Sequence, residues 1–164
     1  MIAVESALTG HLVLSTLHTN DAPSAITRLA EMEVEPYLVA SAIDCVVAQR
    51  LMRKLCDRCR EAYEPTEAQL TAAGFPEFQW QDITELYHAV GCQNCSKTGF
   101  KGRVGLYEVM PVSEEIERMT VERASSETIR QLAIEQGMTT LRQDGLEKAR
   151  LGHTSVEEVL RVVV

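Results

Sequence analysis

The sequence predicts an α/β protein with a cysteine-rich insertion and a helical C-terminal part. Near the N-terminus an uninterrupted apolar run, residues 12–17, lies between two stretches with helical spacing, which is typical of a strand buried in a parallel sheet. Two Cys-x-x-Cys pairs then frame the middle of the chain, and capping residues mark successive helices near its end. We therefore divide the 164 residues into segments 1–55, 56–110 and 111–164.

The first segment opens with a predicted helix over residues 2–8. Gly10 ends this helix, because glycine readily adopts the left-handed conformation found just past a helix C-terminus. The apolar run 12–17 is the predicted buried strand, and His18 opens the polar loop that follows. Ligands in open α/β sheets bind outside the carboxyl ends of the strands. That rule places a candidate site at residues 16–20.

Two further helices and a strand complete the first segment. Asn20 or Asp21 is expected to cap a helix that begins at Pro23. Pro36 opens another, whose apolar spacing runs to residue 47 and includes Cys45 as a small core residue. A short strand then runs to residue 55. The order of elements is typical of a doubly wound or RecA-like α/β layer.

The cysteine pairs Cys56/Cys59 and Cys92/Cys95 predict a metal site. A two-residue spacer lets both thiolates of a pair face one ion, and two pairs complete a tetrahedral shell of four sulfurs. Such a shell leaves no position for a substrate, so the expected zinc is structural. Disulfides are the alternative, but thiols stay reduced in the cytosol. A thioredoxin-like redox role is discounted, because neither pair lies at a strand-to-helix turn.

The remaining elements follow from capping signals. Thr66 opens a helix with a capping box and Gly74 ends it, and strands are expected near residues 85–90 and 104–110. In the last segment, Ser113 caps one helix and Ser125 or Ser126 the next. A third helix covers residues 140–150, and a capping box at residues 154–157 opens the last.

Composition limits the partners and the location. The chain carries 24 acidic and 16 basic side chains, a net charge of −8, which argues against nucleic acid as a main partner. A local basic stretch, residues 50–60, is read as a charged face around the cysteines rather than a phosphate or lipid patch. No apolar run approaches the roughly 18 residues of a transmembrane helix. The start resembles no signal peptide, so a cytosolic location is predicted.

His18 is the candidate for chemistry outside the cysteines. An imidazole at a strand end can hydrogen-bond a phosphate, and Thr16 and Thr19 would add hydroxyls to the same rim. The alternative is a histidine that ties down the loop through a backbone hydrogen bond. The sequence contains no Gly-x-x-x-x-Gly-Lys-Ser/Thr loop and no Gly-x-Ser-x-Gly elbow. A complete catalytic apparatus is therefore not expected in this chain.

Several motifs together resemble a known family. Residues 7–22, Ala-Leu-Thr-Gly-His-Leu-Val-Leu-Ser-Thr-Leu-His-Thr-Asn-Asp-Ala, are similar to the His box of the ATPases that power type II secretion and type IV pilus assembly, the GspE/PilB family. Residues 49–51, the cysteine pairs, residues 98–108 and residues 154–160 resemble the same family in the same order. The resemblance covers essentially the whole chain. The cysteine lobe is typical of the assembly branch, since the retraction ATPases of pili lack it.

The resemblance implies the C-terminal part of a RecA-like P-loop ATPase core, with an inserted tetracysteine zinc lobe and a helical C-terminal subdomain. The parent would be a homo-hexamer at the cytoplasmic face of the inner membrane that uses ATP and Mg²⁺ and drives a membrane platform protein. His18 would be the His-box histidine near the γ-phosphate. Thr16, Thr19, Gln49 and Arg50 would belong to the nucleotide site, although Gln49 and Arg50 suit a subunit interface or a structural role equally well.

The chain departs from the family pattern in one respect. The Walker A loop, Asp box, Walker B acid and arginine-bearing domain precede the His box in the pattern, and none is present. We therefore expect a C-terminal fragment that is inactive alone. The alternative is a stand-alone zinc-stabilised interaction module, which would bind its partner through the surface around residues 56–60 and 100–103.

Overall fold

The structure, a computed structural model, describes residues 2–163. Helices and strands alternate along this range, with short 3₁₀ turns at Glu77–Asp82 and Gln93–Cys95. The helices are α1 (Ile2–Leu8), α2 (Pro23–Glu31), α3 (Pro36–Ala42), α4 (Glu67–Ala73), α5 (Glu114–Val121), α6 (Ser126–Glu135), α7 (Leu141–Arg150) and α8 (Val156–Val162). The strands are β1 (Cys45–Leu55), β2 (Arg60–Tyr63), β3 (Leu86–Ala89) and β4 (Phe100–Pro111). The mixed α/β class is confirmed.

The strands form two two-stranded sheets, β1 with β4 and β2 with β3. The β2–β3 pair is antiparallel, with Arg60 opposite Ala89 and Tyr63 opposite Leu86. Backbone bonds at the two ends of the other pair, from Val112 N to Asp44 O and from Cys56 N to Gly99 O, give it an antiparallel register as well. Within the described range no helix is both long and apolar enough to cross a bilayer.

The chain divides into two compact units. Unit 1 comprises Met1–Ala48 and Tyr107–Thr140, and unit 2 comprises Gln49–Leu106 and Leu141–Val164. Helices α5 and α6 therefore belong to unit 1, whereas α7 and α8 belong to unit 2 with the cysteine pairs. The predicted segments 1–55, 56–110 and 111–164 divide the chain in sequence order. That these segments are domains stays a prediction.

Unit 1 is held together by an apolar core. Helix α2 contributes Ile26, α3 contributes Val39, and α5 and α6 contribute Ile116 and Ile129, all buried. Helices α5 and α6 begin where the sequence predicted. The Ser113 hydroxyl accepts a hydrogen bond from Ile116 N, and the Ser125 hydroxyl accepts one from Thr128 N. Burial of such side chains contributes about 1.5–3 kcal/mol each.

Two carboxylates fix the start of α2. The Asp21 carboxylate accepts from Ser24 N at 2.9 Å and from Arg130 at 2.6 Å. The N-cap residue itself is Ala22, so Asp21 satisfies an N–H of α2 from one position before the predicted cap. The buried Glu108 of β4 accepts from Ala22 N at 2.7 Å. Free N–H groups at a helix start need such acceptors when they are removed from water. Residues distant in sequence therefore hold the segment that follows His18.

Within residues 2–163 the predicted buried strand over residues 12–17 does not form. Residues 11–19 adopt no regular structure, and the side chains of Leu12 and Leu14 are 87% and 90% exposed. A strand buried on both faces needs parallel neighbours for its backbone groups. The strands of residues 2–163 pair only within β1–β4 and β2–β3, so no neighbour remains for this run. His18 lies in this exposed segment rather than at a strand end.

The third helix of the first segment is shorter than its apolar spacing predicts. Helix α3 ends at Ala42, and β1 begins at Cys45, three residues later. Cys45 is exposed in this strand, so its interpretation as a core residue is wrong. The β-branched pair Val46 and Val47 fits an extended strand as well as a helix. Pairing with β4 decides between the two.

Unit 2 packs α7 and α8 with the β2–β3 sheet around a second core. Leu86 of β3, Leu106 of β4, Leu146 of α7 and Val159 of α8 are buried. Helices α7 and α8 approach so closely that a Cβ added at Gly145 would lie 2.7 Å from a methyl carbon of Val159. A larger residue at position 145 would therefore separate the two helices. The predicted capping box at Thr66 is confirmed at the start of α4.

The last helix begins one residue later than predicted. Ser155, not Thr154, caps α8 by accepting from Glu158 N. Thr154 is fully buried, and its hydroxyl donates to the carbonyl of Arg53 in β1 at 2.9 Å. Either hydroxyl matches a capping motif in sequence. The tertiary bond to β1 decides which one caps.

Glu158 is a buried carboxylate between two arginines. It accepts from the backbone N and from the guanidinium of Arg53, and from the guanidinium of Arg161, at 2.6–3.0 Å. Burial alone would raise the pKa of Glu158, but the side-chain bonds from Arg161 and Arg53 outweigh it and lower the pKa to about 2. The ionised carboxylate thus ties α8 to β1.

We expect Glu158→Gln to destabilise unit 2 at neutral pH. The folded-state pKa of Glu158 lies below the ordinary 4.5, so its contribution is present above pH ~4.5 and lost as the pH falls towards 2. Both guanidiniums are half exposed, so water screens the pair and the loss is about 2 kcal/mol at pH 7. Urea unfolding between pH 7 and pH 3 measures it. The control is Glu157→Gln, at the exposed neighbouring residue. Equal losses of stability in the two variants would contradict the prediction.

Candidate metal centre

Two tight turns carry the four cysteines. In the first, Cys59 N and Arg60 N both donate to the carbonyl of Cys56, at 3.1 and 3.0 Å. In the second, Cys95 N and Lys97 N donate to the carbonyl of Cys92, at 3.3 and 2.8 Å. Each turn places both of its thiols on one side of the backbone, as the two-residue spacer predicts.

The sheet and one backbone bond bring the two turns together. Strand β2 leaves the first turn and β3 leads to the second, and these strands pair along their length. Cys56 N also donates to the carbonyl of Gly99, just past the second turn, at 2.9 Å. The turns are far apart in sequence but adjacent in space.

The sulfur atoms have the spacing of a metal cluster. All four Sγ atoms lie within 4.8 Å of one another. The Cys56–Cys92, Cys59–Cys95 and Cys92–Cys95 distances are 3.9, 3.7 and 3.9 Å. A disulfide requires about 2.05 Å, and all four cysteines are free thiols. The edge of a tetrahedron of sulfurs about 2.3 Å from a central ion is about 3.8 Å. The four cysteines are therefore positioned to hold a metal ion.

N–H donors face the sulfurs. Cys92 N and Gly99 N donate to Cys95 Sγ, each at 3.2 Å. The Asn94 side-chain amide donates to Cys56 Sγ at 3.4 Å. Such bonds favour thiolate over thiol and orient it towards an ion. The donor set fits a thiolate-bound metal.

The thiol pKa values differ within the cluster. The backbone bond from Cys92 lowers the pKa of Cys95 to about 6, and the bond from Asn94 leads in lowering that of Cys56. Burial raises the pKa of Cys59 to about 12. Four adjacent thiols cannot all ionise without a cation between them. A divalent ion removes this conflict, because coordination deprotonates thiols outright.

Two glycines allow the second turn to form. Gly91 and Gly99 have φ of +111° and +77°, a region that side chains disfavour. A Cβ at Gly91 would lie 2.5 Å from Lys97 O, and one at Gly99 would lie 2.6 Å from Ala89 Cβ. The close approach of β3 to the start of β4 therefore depends on glycine.

The predicted nucleotide residues lie in both units. Thr16 and His18 are exposed and Thr19 is half-buried, all in the irregular segment of unit 1. Gln49 is exposed and Arg50 half-buried on β1, in unit 2. Their membership of one nucleotide site stays a prediction.

Sequence reasoning missed residues that support the cluster. The roles of Gly91, Gly99 and Asn94 emerge only when the partner turn is in place. One indication was available, since Asn94 stands inside the second Cys-x-x-Cys spacer, where a side chain can reach a sulfur.

A family model described as "Type II/IV secretion system protein" matches residues 1–161. The chain belongs to this family. The match confirms the resemblance carried by residues 7–22 and by the motifs that follow them. It also places the tetracysteine cluster in a member of the type II/IV secretion system proteins.

Curated relatives come from both pilus and secretion systems. The chain is 46% identical over 97% of its length to the type IV pilus assembly ATPase PilB of Thermus thermophilus, and spans 18% of that protein. It is 45% identical over 97% of its length to PilB of Myxococcus xanthus and spans 28% of it. It is 43% identical over 98% of its length to the type II secretion system protein E of Aeromonas hydrophila and spans 31% of it. The chain thus spans less than a third of each of these relatives.

We expect Gly99→Ala to destabilise unit 2 more than Gly102→Ala. Both glycines have positive φ, +77° and +82°, but a Cβ at Gly102 meets nothing within 4 Å. Each substitution costs about 1 kcal/mol for the backbone. The clash with Ala89 adds a further ~1–3 kcal/mol at Gly99 alone. Thermal or urea unfolding of both variants measures the difference, and equal losses would show that the close approach is not required.

Proposed function

We propose that this chain is the zinc-bearing part of an ATPase that powers type IV pilus assembly or type II secretion. The observation that carries the proposal is the family match together with a complete cluster of four cysteines. Relatives named as ATPases of both systems align over almost all of the chain. In the whole protein, ATP hydrolysis would drive a platform protein at the inner membrane. The protein would be cytoplasmic and peripheral to that membrane.

The exposed run at residues 12–17 supports the proposal that unit 1 is part of a larger core in the whole protein. Leu12 and Leu14 are almost fully exposed, although burial of each would contribute about 1.5–3 kcal/mol. An uncharged run of this kind suits a central strand of a parallel sheet. We infer that it joins a RecA-like sheet whose other strands lie in the rest of the protein.

The same arrangement would place His18 at a strand end near the γ-phosphate of ATP. Thr16 and Thr19 would border the site, and Gln49 and Arg50 would contribute to it. The phosphate-binding loop and the Mg²⁺-binding acids would come from the rest of the protein, since this sequence contains no such loop. The full protein would act as a homo-hexamer.

We propose zinc as the metal at the cluster. Four thiolates in a tetrahedron suit zinc, and a shell without an open position suits a structural ion. Binding free energies of about 10–16 kcal/mol are typical of such sites in small modules. This exceeds the ~5–15 kcal/mol stability of a whole domain. The ion would thus hold β2, β3 and the start of β4 in unit 2 together.

Removal of the metal is expected to unfold the cysteine lobe. Metal analysis should give one zinc per chain, and chelation should abolish the cooperative unfolding of unit 2. Cys56→Ser and Cys92→Ser should have the same effect, whereas Cys45→Ser, at the exposed cysteine outside the cluster, should leave metal content and stability unchanged. A metal-free chain with unaltered thermal stability would disprove the structural role.

ATP turnover is expected only from the larger protein. The 164-residue chain should neither hydrolyse ATP nor bind it tightly, as nucleotide titration and a phosphate-release assay would measure. In a protein that also carries the phosphate-binding loop, His18→Ala should lower kcat. His11→Ala, at another exposed histidine of the same segment, should not. If the pure 164-residue chain hydrolysed ATP and His18→Ala abolished that hydrolysis, the proposal that hydrolysis requires the larger protein would be wrong.

A further inference from the structure

Asn94 contacts both a sulfur of the cluster and a lysine outside it. Its side-chain nitrogen donates to Cys56 Sγ at 3.4 Å, and its side-chain oxygen accepts from Lys101 Nζ at 2.8 Å. Asn94 belongs to the second turn, whereas Cys56 belongs to the first. We propose that Asn94 and Lys101 form a relay that positions and stabilises the Cys56 thiolate for metal binding.

The lysine decides which way the amide faces. An asparagine amide can turn over and exchange its oxygen and nitrogen. An ammonium group donates only, so contact with Lys101 requires the oxygen of Asn94 on that side. The side-chain nitrogen of Asn94 then faces Cys56, to which it donates. Lys101 therefore acts on the sulfur through the orientation of Asn94.

The negative charge of a metal-bound cluster explains why the donors in the relay would increase metal affinity. Four thiolates around one divalent cation carry a net charge of about −2. Hydrogen-bond donors and cations at the edge of such a cluster stabilise it, and loss of such supporting contacts typically costs about 10–100-fold in metal affinity. Cys95 receives two backbone donors, which substitution does not remove. Cys56 receives one backbone donor, from Arg58, and the side-chain amide of Asn94, so the Asn94 part of its support is open to mutation.

A second lysine near the cluster provides the matched control. Lys54 Nζ lies 3.1 Å from Asp57 Oδ2, inside the first turn. Lys54→Met removes the same charge as Lys101→Met but leaves Asn94 in place. Gln93→Ala similarly controls for Asn94→Ala, because Gln93 is the exposed neighbour in the same turn.

The test measures zinc affinity of the full 164-residue chain by competition with a chromophoric chelator. Asn94→Ala should weaken zinc binding about tenfold or more. Lys101→Met should weaken it by about threefold at low salt, less at high salt, and Lys101→Arg should keep most of the affinity. Gln93→Ala and Lys54→Met should match the wild type. In the Co²⁺-loaded chain, Asn94→Ala should also shift the sulfur-to-metal charge-transfer band.

A double variant separates the relay from general electrostatics. If Lys101 acts through the amide, Lys101→Met should have almost no further effect in the Asn94→Ala background. Full additivity of the two losses would overturn the relay, as would equal zinc affinity of Asn94→Ala and Gln93→Ala. The relay rests on the proposed zinc site. A wild-type chain that binds no zinc would therefore reject both, whereas tight binding that Asn94→Ala leaves unchanged would reject the relay alone.

Discussion

Sulfur atoms 3.7–3.9 Å apart are the constraint on which unit 2 depends. Thiolates at this distance repel one another, and thiols offer only weak hydrogen bonds. Neither form favours four sulfurs at this spacing, although pairing of β2 with β3 brings the two turns together. A divalent cation at their centre would favour it, and the four cysteines are positioned to hold one. The β2–β3 sheet, the glycines that let β4 pass close to β3, and the backbone bond between the turns then act as the frame of one coordination shell.

Among the described residues, each unit also contains a buried carboxylate that joins segments remote in sequence. Glu158 connects α8 to β1 across 105 residues, and Glu108 connects β4 to the start of α2 across 86 residues. A buried carboxylate is costly unless its oxygens are satisfied. Each therefore tolerates only the arrangement in which its donors are present. Apolar burial supplies the larger energy, whereas these carboxylates define which segments meet.

Local chemistry explains which parts of the fold were predictable. The cysteine spacing, the capping residues Thr66, Ser113 and Ser125, and the helices they open depend on neighbours a few residues away, so the sequence pattern was sufficient. The errors arise where a distant partner decides. Cys45 lies in a strand because β4 pairs with it, and Thr154 loses its capping role to a bond with β1. Asn94 shows its role only when the first turn is adjacent.

The apolar run at residues 12–17 affects the tendency of the protein to aggregate in solution. Six residues without charge or proline, five of them exposed and none of them in a sheet, match the composition of segments that stack between molecules into aggregates. Such a segment favours aggregation wherever no other strand covers it. Any larger protein that contains this run must therefore cover its leucines early in folding.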